Sequence, residues 1–171
     1  MNQITEPIFR GAREALVFAL LYDGSTLATS TLGRLAQCGA IGSGRGLHGL
    51  DGAGTAALLR ARFDRLEDHH AAALIARCAD IAGAPWSAAV GELARFVEAS
   101  GAGSAVNSEV LVAVVRKFFG ERRPDRQIAD EVGLCRETVT RQANRIRPDL
   151  RRIEAEAEAA WYESLRAALL I

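Results

Sequence analysis

Cysteine is scarce in this chain of 171 residues, and its three cysteines are never closely spaced. Cys38, Cys78 and Cys135 form no CxxC pair and no zinc-finger spacing. An odd number of isolated cysteines suits a reducing compartment, where a free cysteine behaves as a small hydrophobic residue. We therefore expect a cytoplasmic protein with no bound metal and no other cofactor.

Long apolar runs are also missing from the sequence. No stretch approaches the roughly 18 apolar residues that a membrane span needs, and the N-terminal segment is polar before it becomes amphipathic, unlike a secretory signal. Alternating β-branched residues are almost absent, whereas alanine is abundant. These absences predict an all-α protein that does not enter a membrane.

The patterns that carry catalysis or nucleotide binding are missing too. No GxxxxGK[ST] phosphate loop exists, and the GxGxxG match at residues 44–49 has no strand or βαβ unit around it. We interpret residues 39–54, in which 7 of 16 are glycine, as a loop before a helix capped by Asp51. A loop that contacts a partner is the alternative. The carboxylates are scattered and pair with no nucleophile, so we expect no enzyme.

Histidine and the aromatic residues indicate no site either. His69 and His70 are adjacent, and adjacent residues point to different faces of a helix, so we interpret them as surface residues near a helix start. The larger aromatic side chains are assigned to the core rather than to a base-stacking platform: Trp86, Phe96, Phe118 and Phe119.

The charge is balanced overall but unevenly placed. The net charge is zero, yet residues 1–111 carry 9 basic and 11 acidic residues, a sum of −2. Residues 112–152 carry 11 basic and 6 acidic residues, a sum of +5, and residues 153–171 carry 1 and 4, a sum of −3. One cationic segment in a neutral chain is typical of a local nucleic-acid footprint.

The first hundred residues predict an N-terminal helical region, 1–100. Pro7 favours a helix start after Thr5 or Glu6, and Asp23-Gly24 ends that helix. A linker is predicted at residues 101–105, GAGSA. The other predicted helices of this region cover residues 26–37, about 53–66 and 69–81 as a hairpin divided near Asp68, and 84–101.

A second helical domain is predicted over residues 106–171. Asn107 or Ser108 caps its first helix, which Gly120 ends. Two more helices follow, over 125–132 and 136–146, and Arg147-Pro148 predicts a break. A last helix then carries an apolar stripe that packs on the domain or forms a dimer face: Leu150, Ile153, Ala157, Trp161, Leu165 and Ala168.

The segment over residues 124–147 has the spacing of a helix-turn-helix unit. The small Ala129 allows two helices to cross closely, and Gly133 four residues later supplies a positive-φ turn. Leu134 fills the space between the helices, and Val139 anchors the second helix. That second helix would lie in a DNA major groove with its early residues facing base edges, and is called the recognition helix below.

The side chains of the recognition helix predict two kinds of DNA contact. Arg141 suits guanine O6 and N7, Asn144 suits adenine N6 and N7, and Thr140 suits a thymine methyl group. Cys135 stands at the cap position, and Gln142 stands where an aliphatic residue is usual, so Ala143 or Ile146 is expected to pack instead. The predicted base-reading residues are Arg136, Glu137, Thr140, Arg141 and Asn144. The predicted phosphate contacts are Lys117, Arg122, Arg123, Arg126, Arg145 and Arg151.

The stretch IADEVGLCRETVTRQANRI resembles the helix-turn-helix units of bacterial and phage regulators and the promoter-binding region of sigma factors. More loosely, the chain resembles phage Q-type late-gene antitermination proteins, through REALVFAL, GRGLHGLDGAGTAALL and a C-terminal helix-turn-helix. That resemblance implies binding near a late promoter and loading onto RNA polymerase in the bacterial host cytoplasm. Some members of that family hold zinc through cysteines that this chain lacks, so it implies no metal here.

Three functions remain open. The first is a sequence-specific transcription regulator that binds duplex DNA and contacts RNA polymerase, its sigma factor or a second copy of the chain. The second is a DNA-binding assembly subunit of the phage packaging type, and the third is a sigma-like module that binds protein. DNA binding through about six phosphates predicts a log-log salt slope near −5, which separates the first two from the third.

Overall fold

The structure, a computed structural model, describes residues 8–21, 49–101, 103, 106–168 and 170–171. All regular elements within these residues are α-helices, which confirms the predicted all-α class. None of the described helices is long and apolar enough to cross a membrane. The helices are α1 (Ala12–Leu21), α2 (Gly49–Phe63), α3 (Asp68–Cys78), α4 (Ala84–Ala99), α5 (Ser108–Phe118), α6 (Asp125–Val132) and α7 (Arg136–Arg166).

The described residues form two compact units. The terminal unit combines the residues up to Arg65 with the segment Trp161–Ile171, and the central unit comprises Leu66–Ala160. Gly101 and Gly103, the described residues of the predicted linker, fall inside the central unit. The central unit therefore contains both helices α3 and α4 and the predicted helix-turn-helix segment.

In the terminal unit, α1 packs against α2. Gly52, Ala56 and Leu59 are buried one helical turn apart, so that small side chains allow close packing. Helix α2 begins at Gly49, although glycine is unfavourable in a helix by about 1 kcal/mol. The predicted loop is therefore wrong for residues 49–54, and Asp51 lies inside the helix rather than at its cap. The rest of that loop and the predicted helix 26–37 lie outside the described residues.

The first helix begins later than predicted. Residues 8–11 are bends, and α1 starts at Ala12. The backbone N–H of Phe9 donates to the carbonyl of Leu170 over 3.2 Å, and that of Arg10 donates to the Glu14 carboxylate over 2.7 Å. These two bonds hold the segment outside the helix, because its amides are already satisfied.

In the central unit, α3 and α4 pack on each other as a helical hairpin. The hairpin predicted from the sequence paired residues 53–66 with 69–81, that is α2 with α3, and these two helices belong to different units. Helix α3 ends three residues before the predicted residue 81, because Asp80 forms a turn. The Asp80 carboxylate accepts from the N–H of Ala82, and its carbonyl accepts from the N–H of Gly83 over 2.8 Å. Trp86 is fully buried in this unit, as predicted for the core.

Helix α5 connects the hairpin to the candidate site, because it packs on both α4 and α6. Its N-cap is Asn107, as predicted, whose side chain accepts from the N–H groups of Glu109 and Val110. On its inner face, Val110, Leu111, Val114 and Val115 are buried. Helix α5 thus forms the base on which α6 rests.

The predicted break at Arg147-Pro148 is wrong, because α7 is one continuous helix of 31 residues with Pro148 inside it. A proline in a helix interior costs about 3 kcal/mol. Ile146 and Leu150 on either side of it are fully buried, and burial of each contributes about 1.5–3 kcal/mol. Since Pro148 itself is exposed, the backbone carbonyl that its ring leaves unpaired remains close to water. The buried stripe therefore outweighs the proline.

Burial shows how much of the predicted apolar stripe of the last helix the chain itself covers. Leu150, Ile153 and Ala157 are buried, and so are Trp161 and Leu165. Ala168, the last residue of the stripe, is half-buried. Five of the six side chains of the stripe are therefore covered by the chain itself.

Candidate nucleic-acid interface

The turn between α6 and α7 has the predicted geometry. Gly133 is the C-cap of α6 with φ +68° and ψ 30°, a left-handed conformation. Its N–H and that of Leu134 both point back to the carbonyl of Ala129, the latter over 3.0 Å. This arrangement closes the helix end. Helix α7 begins at Arg136, so that the three residues 133–135 form the turn that joins α6 to α7.

Asp125 connects three helices at this point. Its carboxylate accepts from Lys117 of α5 over 2.6 Å and from the hydroxyl of Thr140 of α7 over 3.3 Å, while Asp125 itself begins α6. The hydrogen bond from Lys117 holds the pKa of Asp125 below its ordinary value of 3.8. The carboxylate is therefore charged at neutral pH and holds α5, α6 and α7 together at the predicted DNA face.

The predicted base-reading side chains divide into two groups. Arg136, Glu137 and Arg141 are exposed and have no hydrogen bond or ion pair to any described residue. Thr140 is half-buried and donates to Asp125, so its hydroxyl is turned toward α6. Asn144 is exposed, but its side-chain oxygen accepts from Arg147 over 3.0 Å. A bidentate contact to adenine requires that Arg147 release this oxygen.

The predicted phosphate contacts divide in the same way. Lys117 is paired with Asp125, and Arg123 is paired with Glu131 of α6. The remaining four are exposed and have no partner among the described residues: Arg122, Arg126, Arg145 and Arg151. With Arg136 and Arg141, six exposed arginines between residues 122 and 151 have no partner among the described residues.

Apolar side chains pack along the inner face of the first turns of α7, as expected, although Gln142 stands where an aliphatic residue is usual. Val139, Ala143 and Ile146 are all buried, so both residues named as substitutes pack. The side-chain oxygen of Gln142 is buried and has no hydrogen-bond partner among the described residues. Cys135 precedes the helix and is exposed, and its sulfur lies 3.0 Å from the hydroxyl of Thr138.

The sequence analysis did not identify three residues that help to form this surface: Asp125, Glu131 and Arg147. Each of them forms an ion pair or hydrogen bond with a predicted contact residue. In the sequence, each contributes only to the net charge of residues 112–152. The pairs Lys117–Asp125 and Arg123–Glu131 are both eight residues apart, which is not a spacing that places side chains together on one helix. No signal in the sequence distinguishes them from the unpaired arginines.

Comparison of the chain with known protein families, with curated proteins and with solved structures finds no match. The functional argument therefore depends on the geometry and the charges of the surface itself.

Proposed function

We propose that the central unit binds duplex DNA at specific sites and that the protein regulates transcription. The observation that carries the proposal combines the tight left-handed turn between α6 and α7 with six exposed arginines on these helices and the loop before them. None of the six has a partner in the part of the chain that the structure describes. Unpaired exposed guanidinium groups are available to phosphate oxygens without first breaking an internal ion pair. The rest of the chain carries no comparable cationic segment.

In this proposal α7 enters the major groove with its first turns. Arg141 stands on the face opposite the buried Val139 and Ala143, so that its side chain reaches outward. Arg122, Arg126, Arg145 and Arg151 contact phosphates and set the register. Asn144 reads adenine after the Arg147 guanidinium leaves the Asn144 side-chain oxygen and binds a phosphate. This change is favourable because Arg147 then donates to a charged phosphate oxygen instead of a neutral amide oxygen.

The resemblance to phage antitermination proteins extends the proposal. In that form the protein binds near a late promoter in a bacterial host and acts with RNA polymerase or its sigma factor. An assembly subunit of the packaging type and a module that binds protein through the same helices are the alternatives. Antitermination would require a ternary complex with polymerase and the DNA site, whereas the packaging alternative requires a large oligomer.

The test is a selection from a random duplex library with the purified protein, run in parallel with Arg141→Ala. We expect an enriched motif in the wild type, and a loss of about 1–3 kcal/mol on that motif in Arg141→Ala and in Asn144→Ala, with little loss on random DNA. Arg95→Ala, an exposed arginine on α4, is the matched control and should behave as wild type. Equal losses on motif and random DNA would contradict base reading, and no salt-sensitive binding would contradict the proposal.

A further inference from the structure

The start of α3 brings together three side chains that suit a metal ion. One ligand atom from each of Glu67, His69 and His70 lies within 4.8 Å of the others. The centroids of the two imidazole rings are 4.2 Å apart. The two histidines were expected to point to different helix faces, but in the first turn of this helix their rings lie side by side.

A second observation concerns His70. Its Nε2 atom is buried and has no hydrogen-bond partner among the described residues. A carboxylate oxygen of Glu156 on α7 lies 3.8 Å from it, which is too far for a hydrogen bond. A buried imidazole nitrogen without a partner costs free energy. A ligand that fills the space between Nε2 and Glu156 would remove that cost.

His69 is held in place by its surroundings. Its ring stacks on Phe96 of α4, with centroids 3.8 Å apart and planes 6° from parallel. Its Nε2 atom lies 3.5 Å from a carboxylate oxygen of Glu67. An imidazole nitrogen is the commonest side-chain ligand of metal ions in proteins.

We propose that Glu67, His69 and His70 bind a zinc ion, with Glu156 as the fourth ligand. Two imidazole nitrogens and two carboxylates form a nitrogen- and oxygen-rich set that Zn²⁺ accepts in tetrahedral geometry. With zinc–ligand bonds of about 2.0–2.2 Å, the ligand atoms of such a site stand about 3.4 Å apart. Small side-chain movements achieve this, because Glu67 is 71% exposed and Glu156 is 46% exposed. The ion would connect the start of α3 to α7, and the inference is independent of the proposed DNA binding.

Calorimetric titration of ZnCl₂ into the EDTA-dialysed full chain tests this inference. We expect one bound equivalent, and at about 100 times the dissociation constant a melting temperature higher by roughly 5–10 °C. CoCl₂ in place of ZnCl₂ should give the visible absorption of a tetrahedral nitrogen- and oxygen-ligated ion, without the charge-transfer band of a thiolate ligand.

Glu67→Gln, Glu156→Gln and His70→Gln should each weaken zinc binding by roughly tenfold or more. Glu98→Gln, an exposed carboxylate on α4, is the matched control and should bind zinc as the wild type does. If His70→Gln does not fold, the exposed Glu67 decides the result, because its substitution removes no packing. Absence of stoichiometric binding, a thiolate band, or equal affinity in Glu67→Gln and wild type would overturn the site. DNA binding is measured separately, so its failure would not be confused with failure here.

Discussion

The carboxylate of Asp125 determines how the side chains of the candidate interface are arranged. It neutralises Lys117, holds the hydroxyl of Thr140 and stands in the first turn of α6, where a negative charge is favourable. Its side chain is only 18% exposed, so water screens these interactions incompletely. Asp125, which was not among the predicted contact residues, thus positions Lys117 and Thr140, which were.

Asp125→Asn keeps the shape of the side chain and removes its charge. At pH 7 we expect the free energy of unfolding to fall by about 1–2 kcal/mol, because charge-assisted hydrogen bonds are lost. The pKa of Asp125 is lowered in the folded protein, so its contribution is present above about pH 4 and is lost as the pH falls through the folded-state pKa. Urea unfolding at pH 7 and near pH 3 measures this: the difference in the free energy of unfolding between wild type and variant should be smaller at the lower pH.

The control for this prediction is Asp130→Asn. Asp130 lies on the same helix and is exposed, with no hydrogen bond or ion pair to a described residue. Its substitution should leave the free energy of unfolding within about 0.5 kcal/mol of wild type at both pH values. A difference between Asp125→Asn and wild type that stays constant with pH would contradict the electrostatic role.

Ion pairs within the protein also limit how many basic side chains are available to bind DNA phosphates. With Lys117 and Arg123 occupied by Asp125 and Glu131, four of the six predicted phosphate contacts are unpaired, and the expected log-log salt slope is about −4 rather than −5. Glu131→Gln releases Arg123 and removes a negative charge from the surface. We expect tighter DNA binding and a slope steeper by about 1, measured by titration from 50 to 200 mM salt.

Glu92→Gln is the matched control, since it releases Arg95 from an ion pair on α4, outside the proposed interface. This variant should bind DNA with the wild-type slope. An unchanged slope in Glu131→Gln would show that Arg123 does not reach phosphate. The same slope change in both variants would show a general charge effect and no defined contact.

At the scale of the helices, the turn between α6 and α7 depends on the left-handed backbone conformation of Gly133. A Cβ atom at Gly133 would meet no atom within 4 Å, but φ is +68°. The cost of a side chain here is therefore backbone strain alone and not a clash. Asparagine tolerates this conformation better than β-branched residues do.

Gly133→Val should reduce the free energy of unfolding by roughly 1–3 kcal/mol and abolish DNA binding, because the turn can no longer hold α7. Gly133→Asn should cost about 1 kcal/mol or less and retain binding. Denaturant unfolding together with a DNA titration measures both effects. A well-folded Gly133→Val variant that still binds DNA would contradict the helix-turn-helix interpretation.

Helix α7 shows how packing overrides a local signal. Residues 136–146 and a last helix starting at Pro148 were predicted as two separate helices, each with apolar residues on one face. The two stripes are in register through Ile146 and Leu150, so one continuous helix buries both. The predicted recognition helix is thus the first part of a longer element, which leaves less freedom for its first turns to change orientation.

In the molecule as a whole, the last residues of α7 complete the terminal unit. Trp161 is buried, its indole N–H donates to the carbonyl of Ala12 over 2.8 Å, and its ring meets that of Phe63 edge to face at 5.9 Å. Arg62 donates to the carbonyl of Ser164 over 3.1 Å. Two ends of the chain, about 150 residues apart, therefore share one core.

Trp161→Ala should destabilise the protein by about 3–5 kcal/mol, because it removes a large buried side chain and leaves a cavity. Trp161→Phe keeps much of the volume and loses the hydrogen bond to Ala12, so we expect a smaller loss of about 1–3 kcal/mol. Tyr162→Ala, on the exposed side of the same turn, is the control and should change stability by less than about 1 kcal/mol. Thermal unfolding gives the order, and equal losses for all three variants would contradict the assigned core.

Local pattern was sufficient for the helical class, the separate helices α3 and α4, the Asn107 cap and the turn at Gly133. Each of these depends on residues close together in the chain, where spacing and backbone preference act directly. Four other features depend on residues far apart: the glycine-containing start of α2, the passage of α7 through Pro148, the pairing of Lys117 and Arg123, and the approach of Glu156 to His70. Burial and ion pairing act through space, so only the tertiary structure decides which helix continues, which cations stay free and which side chains meet.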